Sequence, residues 1–118
     1  MAKILVVDDA QFLRLRISKM LNQSGHDTLE AENGKRAIEL YQSDHPDVVL
    51  MDVTMPEMDG LDALKHIRTF DANARVVMLT ALGQESVVLE AIRAGAKDFV
   101  VKPFEASRVL SAINKIIG

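Results

Sequence analysis

Four short apolar runs constrain this chain more than any other feature: Ile4-Leu5-Val6-Val7, Val48-Val49-Leu50-Met51, Val76-Val77-Met78-Leu79 and Phe99-Val100-Val101. None alternates with polar residues, so each predicts a strand covered on both faces, as in a parallel sheet. A weaker run, Thr28-Leu29-Glu30-Ala31, does alternate and suits a sheet edge. The segments between the runs carry a helical period. Residues 10–24 gather Leu13, Ile17, Met20, Leu21 and Ser24 on one face, and residues 34–43 gather Ala37, Ile38 and Tyr41. Residues 60–69 align Leu61, Leu64 and Ile67, residues 84–94 align Val88, Ala91 and Ile92, and residues 105–117 align Val109, Ile113, Ile116 and Ile117. Gly25 and Gly95 stand where a glycine would end the first and fourth helices. Asn33 and Asp59 are placed to cap the second and third.

Five strands and five helices in strict alternation predict an α/β fold, a parallel sheet with helices on both faces. The length, 118 residues, fits a single domain over 1–118. No cysteine is present, which excludes a disulfide framework, a thiolate zinc site and a cysteine nucleophile. Fourteen Lys and Arg against seventeen Asp and Glu give a formal charge of −3 with no basic stripe, so no nucleic-acid partner is expected. No apolar run approaches the ~20 residues of a membrane span, so no membrane insertion is expected. The run after Met1-Ala2-Lys3 is too short for a signal peptide. A cytoplasmic domain is the resulting expectation.

Each strong run is followed by a polar residue. Asp8 and Asp9 follow the first, Asp52 the Val48–Met51 run, Thr80 the next and Lys102 the last. All fall at carboxyl ends of strands, where open α/β sheets bind ligands. The flavodoxin-like strand order 2-1-3-4-5 is taken from known doubly wound sheets rather than from these residues, and it puts the weak run at one edge. In that order Asp8, Asp9 and Asp52 converge where the winding reverses. Asp47 and Asp98, at the opposite strand ends, read as solvated loop residues.

Two carboxylates about 5 Å apart repel by roughly 3 kcal/mol at an effective dielectric near 20. Three of them facing one lysine should raise a carboxyl pKa or recruit a divalent cation. With only hard oxygen ligands at hand, that cation is Mg²⁺, with Mn²⁺ or Ca²⁺ as alternatives.

The segments Val6-Val7-Asp8-Asp9, Asp52-Val53-Thr54-Met55-Pro56-Glu57-Met58-Asp59-Gly60, Thr80-Ala81 and Lys102-Pro103-Phe104 resemble the response-regulator receiver domains, in register along the whole chain. Residues 94–104 are most similar to the single-domain chemotaxis regulators of that family. The resemblance implies that Asp52 is the phosphoacceptor, attacking the phosphohistidine of a CheA-like sensor histidine kinase. It implies Mg²⁺ held by Asp9, Asp52 and the backbone carbonyl of Thr54, with Asp8 acting mainly through water. Lys102 and the Thr80 hydroxyl would contact phosphoryl oxygens, and the Lys102–Pro103 bond would be cis. Thr80 and the aromatic Phe99 would form the switch that reshapes the face of the fourth helix, fifth strand and fifth helix. A target such as a flagellar motor switch protein would then dock there, on a monomer that catalyses only its own phosphorylation and dephosphorylation. On the fourth helix, Val87 and Leu89 fall off the apolar face and suit such docking. Phe99 stands where chemotaxis regulators often carry Tyr, and Leu82 stands where a polar residue is common. Thr54 and Leu82 are expected to flank the path of the hydrolytic water.

Six glycines without a Gly-x-Gly exclude a dinucleotide fingerprint or P-loop. His26, His45 and His66 read as surface residues and the six methionines as core filling. A Mg²⁺-dependent phosphohydrolase using Asp52 would place a general acid–base two residues on, where Thr54 stands. A phosphorylation-independent scaffold fits poorly with the intact Asp52, Thr80 and Lys102. The end at Gly118 leaves open a receiver excised from a DNA-binding regulator.

Overall fold

In a computed structural model, residues 2–55 and 58–117 are described. Pro56 and Glu57 of the motif after Asp52, the leader residue Met1 and the terminal Gly118 lie outside them. Strands β1 (Lys3–Val7), β2 (Asp27–Ala31), β3 (Val48–Asp52), β4 (Val76–Thr80) and β5 (Asp98–Val101) alternate with helices. These are α1 (Gln11–Gln23), α2 (Gly34–Asp44), α3 (Gly60–Phe70), α4 (Glu85–Arg93) and α5 (Ala106–Ile117). The strands pair in parallel in the order β2-β1-β3-β4-β5.

The unbroken apolar runs have a direct structural cause. Leu5, Val7, Val49, Met51, Val76 and Met78 point to one side and join Ala37, Tyr41, Ala63, Leu64, Ile67 and Ala91 of α2, α3 and α4 in one core. Their neighbours Ile4, Val6, Val48, Leu50, Val77, Leu79 and Val100 point to the other and join Ile17 and Leu21 of α1 and Val109, Ala112 and Ile113 of α5. Successive side chains of a strand face opposite sides, so a sheet covered twice must be apolar at every position. Strand β2 has one covered neighbour only, and its exposed Asp27 and Glu30 give the alternation seen in the sequence.

The helix boundaries follow local chemistry. The Asn33 side chain accepts from the Arg36 amide at 2.8 Å, and Asp59 from the Asp62 amide at 2.9 Å. Gly25 and Gly95 follow α1 and α4 with φ of 91° and 109°, a region that favours glycine. α2 ends instead on His45 at φ 47°, just before Pro46.

Five expectations need correction. The run Phe99-Val100-Val101 is not covered on both faces, because β5 is the other edge of the sheet, and only Val100 is buried while Phe99 and Val101 are exposed. On α4 it is Val87, with Ala91 and Ala94, that packs against the core, while Ile92 is exposed with Leu89 and Val88 is half-buried. The nine-residue helix carries apolar residues on two sides, and its inner side is rotated by one position from the one the spacing suggested. On α1, Ser24 is an exposed cap and Ser18 is buried in its place. His26 is buried rather than on the surface, because its Nδ1 accepts the Ala2 amide at 3.1 Å. Asp98 opens β5, half-buried and paired with Arg108 at 3.6 Å, instead of sitting in a solvated loop.

Candidate functional site

The reversal of winding lies between β1 and β3, and the carboxyl ends of β1, β3, β4 and β5 form one edge. Pairing of Asp52 with Leu79 and of Thr80 with Val101 staggers these ends stepwise. The Lys102 amide donates to the Thr80 carbonyl at 2.6 Å, so the lysine leaves the sheet beside that hydroxyl-bearing residue. The Lys102–Pro103 peptide bond is cis. Pro103 itself is exposed, and Phe104 packs partly against the α1–α5 core.

Asp8 is held from every side. Its amide extends the β1–β2 ladder to the Ala31 carbonyl at 3.2 Å, and its Oδ1 accepts the Ala10 amide at 2.9 Å. Its carbonyl accepts Arg14 Nη1 at 2.7 Å, while Arg14 Nε pairs with Glu30 at 3.3 Å. This leaves Asp8 Oδ2 facing Lys102 Nζ at 3.2 Å. The same Nζ reaches Asp52 Oδ1 at 3.0 Å. Lys102 therefore bridges the two strand ends that carry buried acids.

Carboxylate oxygens of Asp8, Asp9 and Asp52 all lie within 4.8 Å of one another; Asp8 and Asp52 are buried and Asp9 is exposed. Three carboxylates against one ammonium leave a local charge of about −2, which a divalent cation would cancel. Burial, the largest influence, pushes the Asp52 carboxyl above the ordinary range. The hydrogen bond and charge of Lys102 pull it back only part of the way, and the charges of Asp8 and Asp9 add to the rise. For Lys102 burial acts against the ammonium, but bonding to Asp52 and the charges of Asp52 and Asp8 outweigh it and raise its pKa.

Around this centre, Thr80 is buried, while Thr54 and Leu82 are exposed on the rim, Leu82 at 82%. Phe99 is exposed on β5 and lines a groove of ≈ 360 Å³ with Val88, Leu89 and Ile92. Two contributors have no legible signal in the sequence. Arg14 fixes the Asp8 backbone from within α1, where it reads as an ordinary helical cation. Gln84 joins the β4–α4 segment to Thr54, thirty positions away.

A doubly wound α/β domain with a buried strand-end carboxylate, two neighbouring acids, a lysine and a hydroxyl is a module built to hold a cation together with an anionic group. Residues 4–114 match the response regulator receiver domain, and the chain belongs to that family. It is 56% identical over 98% of its length to the chemotaxis protein CheY of Bacillus subtilis, spanning 98% of that protein. It is 49% identical over 97% of its length to CheY of Thermotoga maritima, spanning 96% of it. Among solved structures it is similar to CheY in the CheX–CheY–BeF3–Mg²⁺ complex from Borrelia burgdorferi. That match has a TM-score of 0.92 and 35% identity, and it covers 98% of this chain and 89% of the other. The oxygen-only donor set of Asp8, Asp9 and Asp52 suits the Mg²⁺ that receivers hold.

Proposed function

We propose that this chain is a single-domain phosphoacceptor response regulator of a chemotaxis two-component pathway, acting in the cytoplasm as a monomer. The observation that carries the reading is the Lys102 ammonium bridging buried Asp8 and Asp52 at the switch point, with Asp9 within reach. An Asp52 oxygen attacks the phosphorus of a phosphohistidine on a CheA-like kinase. The P–N bond breaks, its electron pair stays on the imidazole, and the aspartyl phosphate forms. Asp9, Asp52 and the Thr54 carbonyl would hold Mg²⁺ directly, with Asp8 acting mainly through water. The cation supplies charge neutralisation for the phosphoryl oxygens. Lys102 moves from bridging two carboxylates to pairing with a phosphoryl oxygen, and the Thr80 hydroxyl donates to another.

Phosphorylation biases a two-state switch of Thr80 and Phe99, and the α4–β5–α5 face then fits a target such as a flagellar motor switch protein. Among the described residues no helix is long and apolar enough to cross a membrane. The phosphoryl group leaves by water attack on phosphorus, breaking the P–O bond to Asp52 and returning its carboxylate. Thr54 and Leu82, on the rim, flank that approach and set the lifetime.

Intact-mass detection after acetyl phosphate treatment tests the reading. A phosphoryl adduct should appear with Mg²⁺, be absent without it and be lost in Asp52→Asn. Its decay should change in Leu82→Glu. A folded, Mg²⁺-saturated protein that forms no adduct would refute the phosphoacceptor role, and unchanged decay would remove Leu82 from it.

A further inference from the structure

The side chain of Gln84, the residue just before α4, makes no capping bond to that helix. The Gln84 side chain instead turns back across the site. Its Oε1 accepts the Ala81 amide at 2.6 Å, and its Nε2 donates to Thr54 Oγ1 at 2.8 Å. The Ala81 amide is only a donor, which fixes which end of the carboxamide faces it. One side chain thus ties the segment after Thr80 to the segment after Asp52.

We propose that Gln84 is a positioning residue, a latch that holds these two segments in the unphosphorylated arrangement and so sets how fast Asp52 accepts a phosphoryl group. The proposal rests on the phosphoacceptor reading above. For the Thr80 hydroxyl to close on a group carried by Asp52, the start of the β4–α4 segment must shift with it. Ala81 is bonded directly to Thr80, and its amide is taken up by Gln84, which is itself fastened to Thr54. Closure would pull on the Ala81 amide and so strain both hydrogen bonds of the Gln84 side chain. A contact present in only one of two states shifts their populations by its own free energy. Gln84 touches neither Asp52 nor Lys102 in the bonds it makes, so it acts through the loops and is not catalytic.

The test compares Gln84→Ala, Thr54→Val and the double variant with the unmodified protein, at saturating Mg²⁺ and with Asp52→Asn as blank. The readouts are the rate of acetyl phosphate adduct formation and the deuterium exchange of the Ala81 amide. Gln84→Ala should raise the adduct rate about fivefold, each of the two exposed hydrogen bonds it removes contributing about twofold. In the Thr54→Val background, where half the latch is already gone, the same change should give only about twofold. Ala81 exchange should speed up in Gln84→Ala before any phosphorylation. An unchanged exchange rate, an unchanged adduct rate, or equal factors in both backgrounds would overturn the latch while leaving the Asp52 adduct of the unmodified protein intact. An unmodified protein that forms no adduct would overturn the phosphoacceptor reading, and the latch with it.

Discussion

Tyr41 donates its hydroxyl to Asp71 Oδ2 at 2.7 Å, joining α2 to the end of α3. That bond and the Asn73 amide hold the Asp71 carboxyl below the ordinary carboxylate range. Burial, together with the bond to Asp71, pushes the Tyr41 phenol well above its ordinary value. A depressed carboxyl pKa gives stability that is present above the unfolded value and lost as pH falls through the folded one. Tyr41→Phe should therefore cost about 1 kcal/mol near neutrality, at the low end for a charged acceptor because Asp71 is partly solvated. The difference between the two proteins should close as pH drops below about 4. Urea unfolding at pH 7 and pH 2 reads it, and a gap unchanged at low pH would assign the effect to the hydroxyl's hydrogen bond irrespective of the charge on Asp71. At this scale the sequence showed the strand-end acids, Thr80 and Lys102 clearly, because each interrupts a run that is otherwise wholly apolar. It hid Gln84, Arg14 and His26, whose partners are Thr54, the Asp8 carbonyl and the Ala2 amide. Such bonds depend on where the chain returns in space, and residue type carries no trace of that.

The β3–α3 connection shows how an element fixes the site. The Gly60 amide donates to the Val53 carbonyl at 2.8 Å, folding the start of α3 back onto the strand that ends in Asp52. A Cβ at Gly60 would run into the Asp52 carbonyl oxygen, which is backbone and cannot swing aside. Gly60→Ala should then destabilise by about 3 kcal/mol through overpacking. It should also slow adduct formation, since the strain falls on the peptide of Asp52, the proposed nucleophile. Denaturant unfolding and the adduct rate read the two effects, and a neutral variant would mean that α3 can slide away from β3. Helix placement was readable from period and caps, as Asn33 and Asp59 illustrate. The inner side of α4 was not, since a nine-residue helix with Val87, Val88, Leu89 and Ile92 offers two apolar sides. Only the sheet beneath it decides which is covered.

The molecule as a whole is two cores divided by one sheet, with Asp8, Asp9, Asp52, Thr80 and Lys102 gathered at the carboxyl edge of its strands. Under the proposed function, β4 and β5 would carry a local event at Asp52 to the groove lined by Phe99 and α4, since they run between the two. The strand order is that of known doubly wound sheets, and its physical basis is visible in the weak run of β2 lying at the edge. A beryllofluoride titration of ¹⁵N-labelled protein in Mg²⁺ tests this coupling from site to surface most directly. The amide signals of Thr80, Ala81 and Phe99 should move together to a second set of positions, and Asp52→Asn should abolish the change. Signals that stay in place, or that move equally in Asp52→Asn, would contradict a phosphoacceptor coupled to the α4–β5–α5 face.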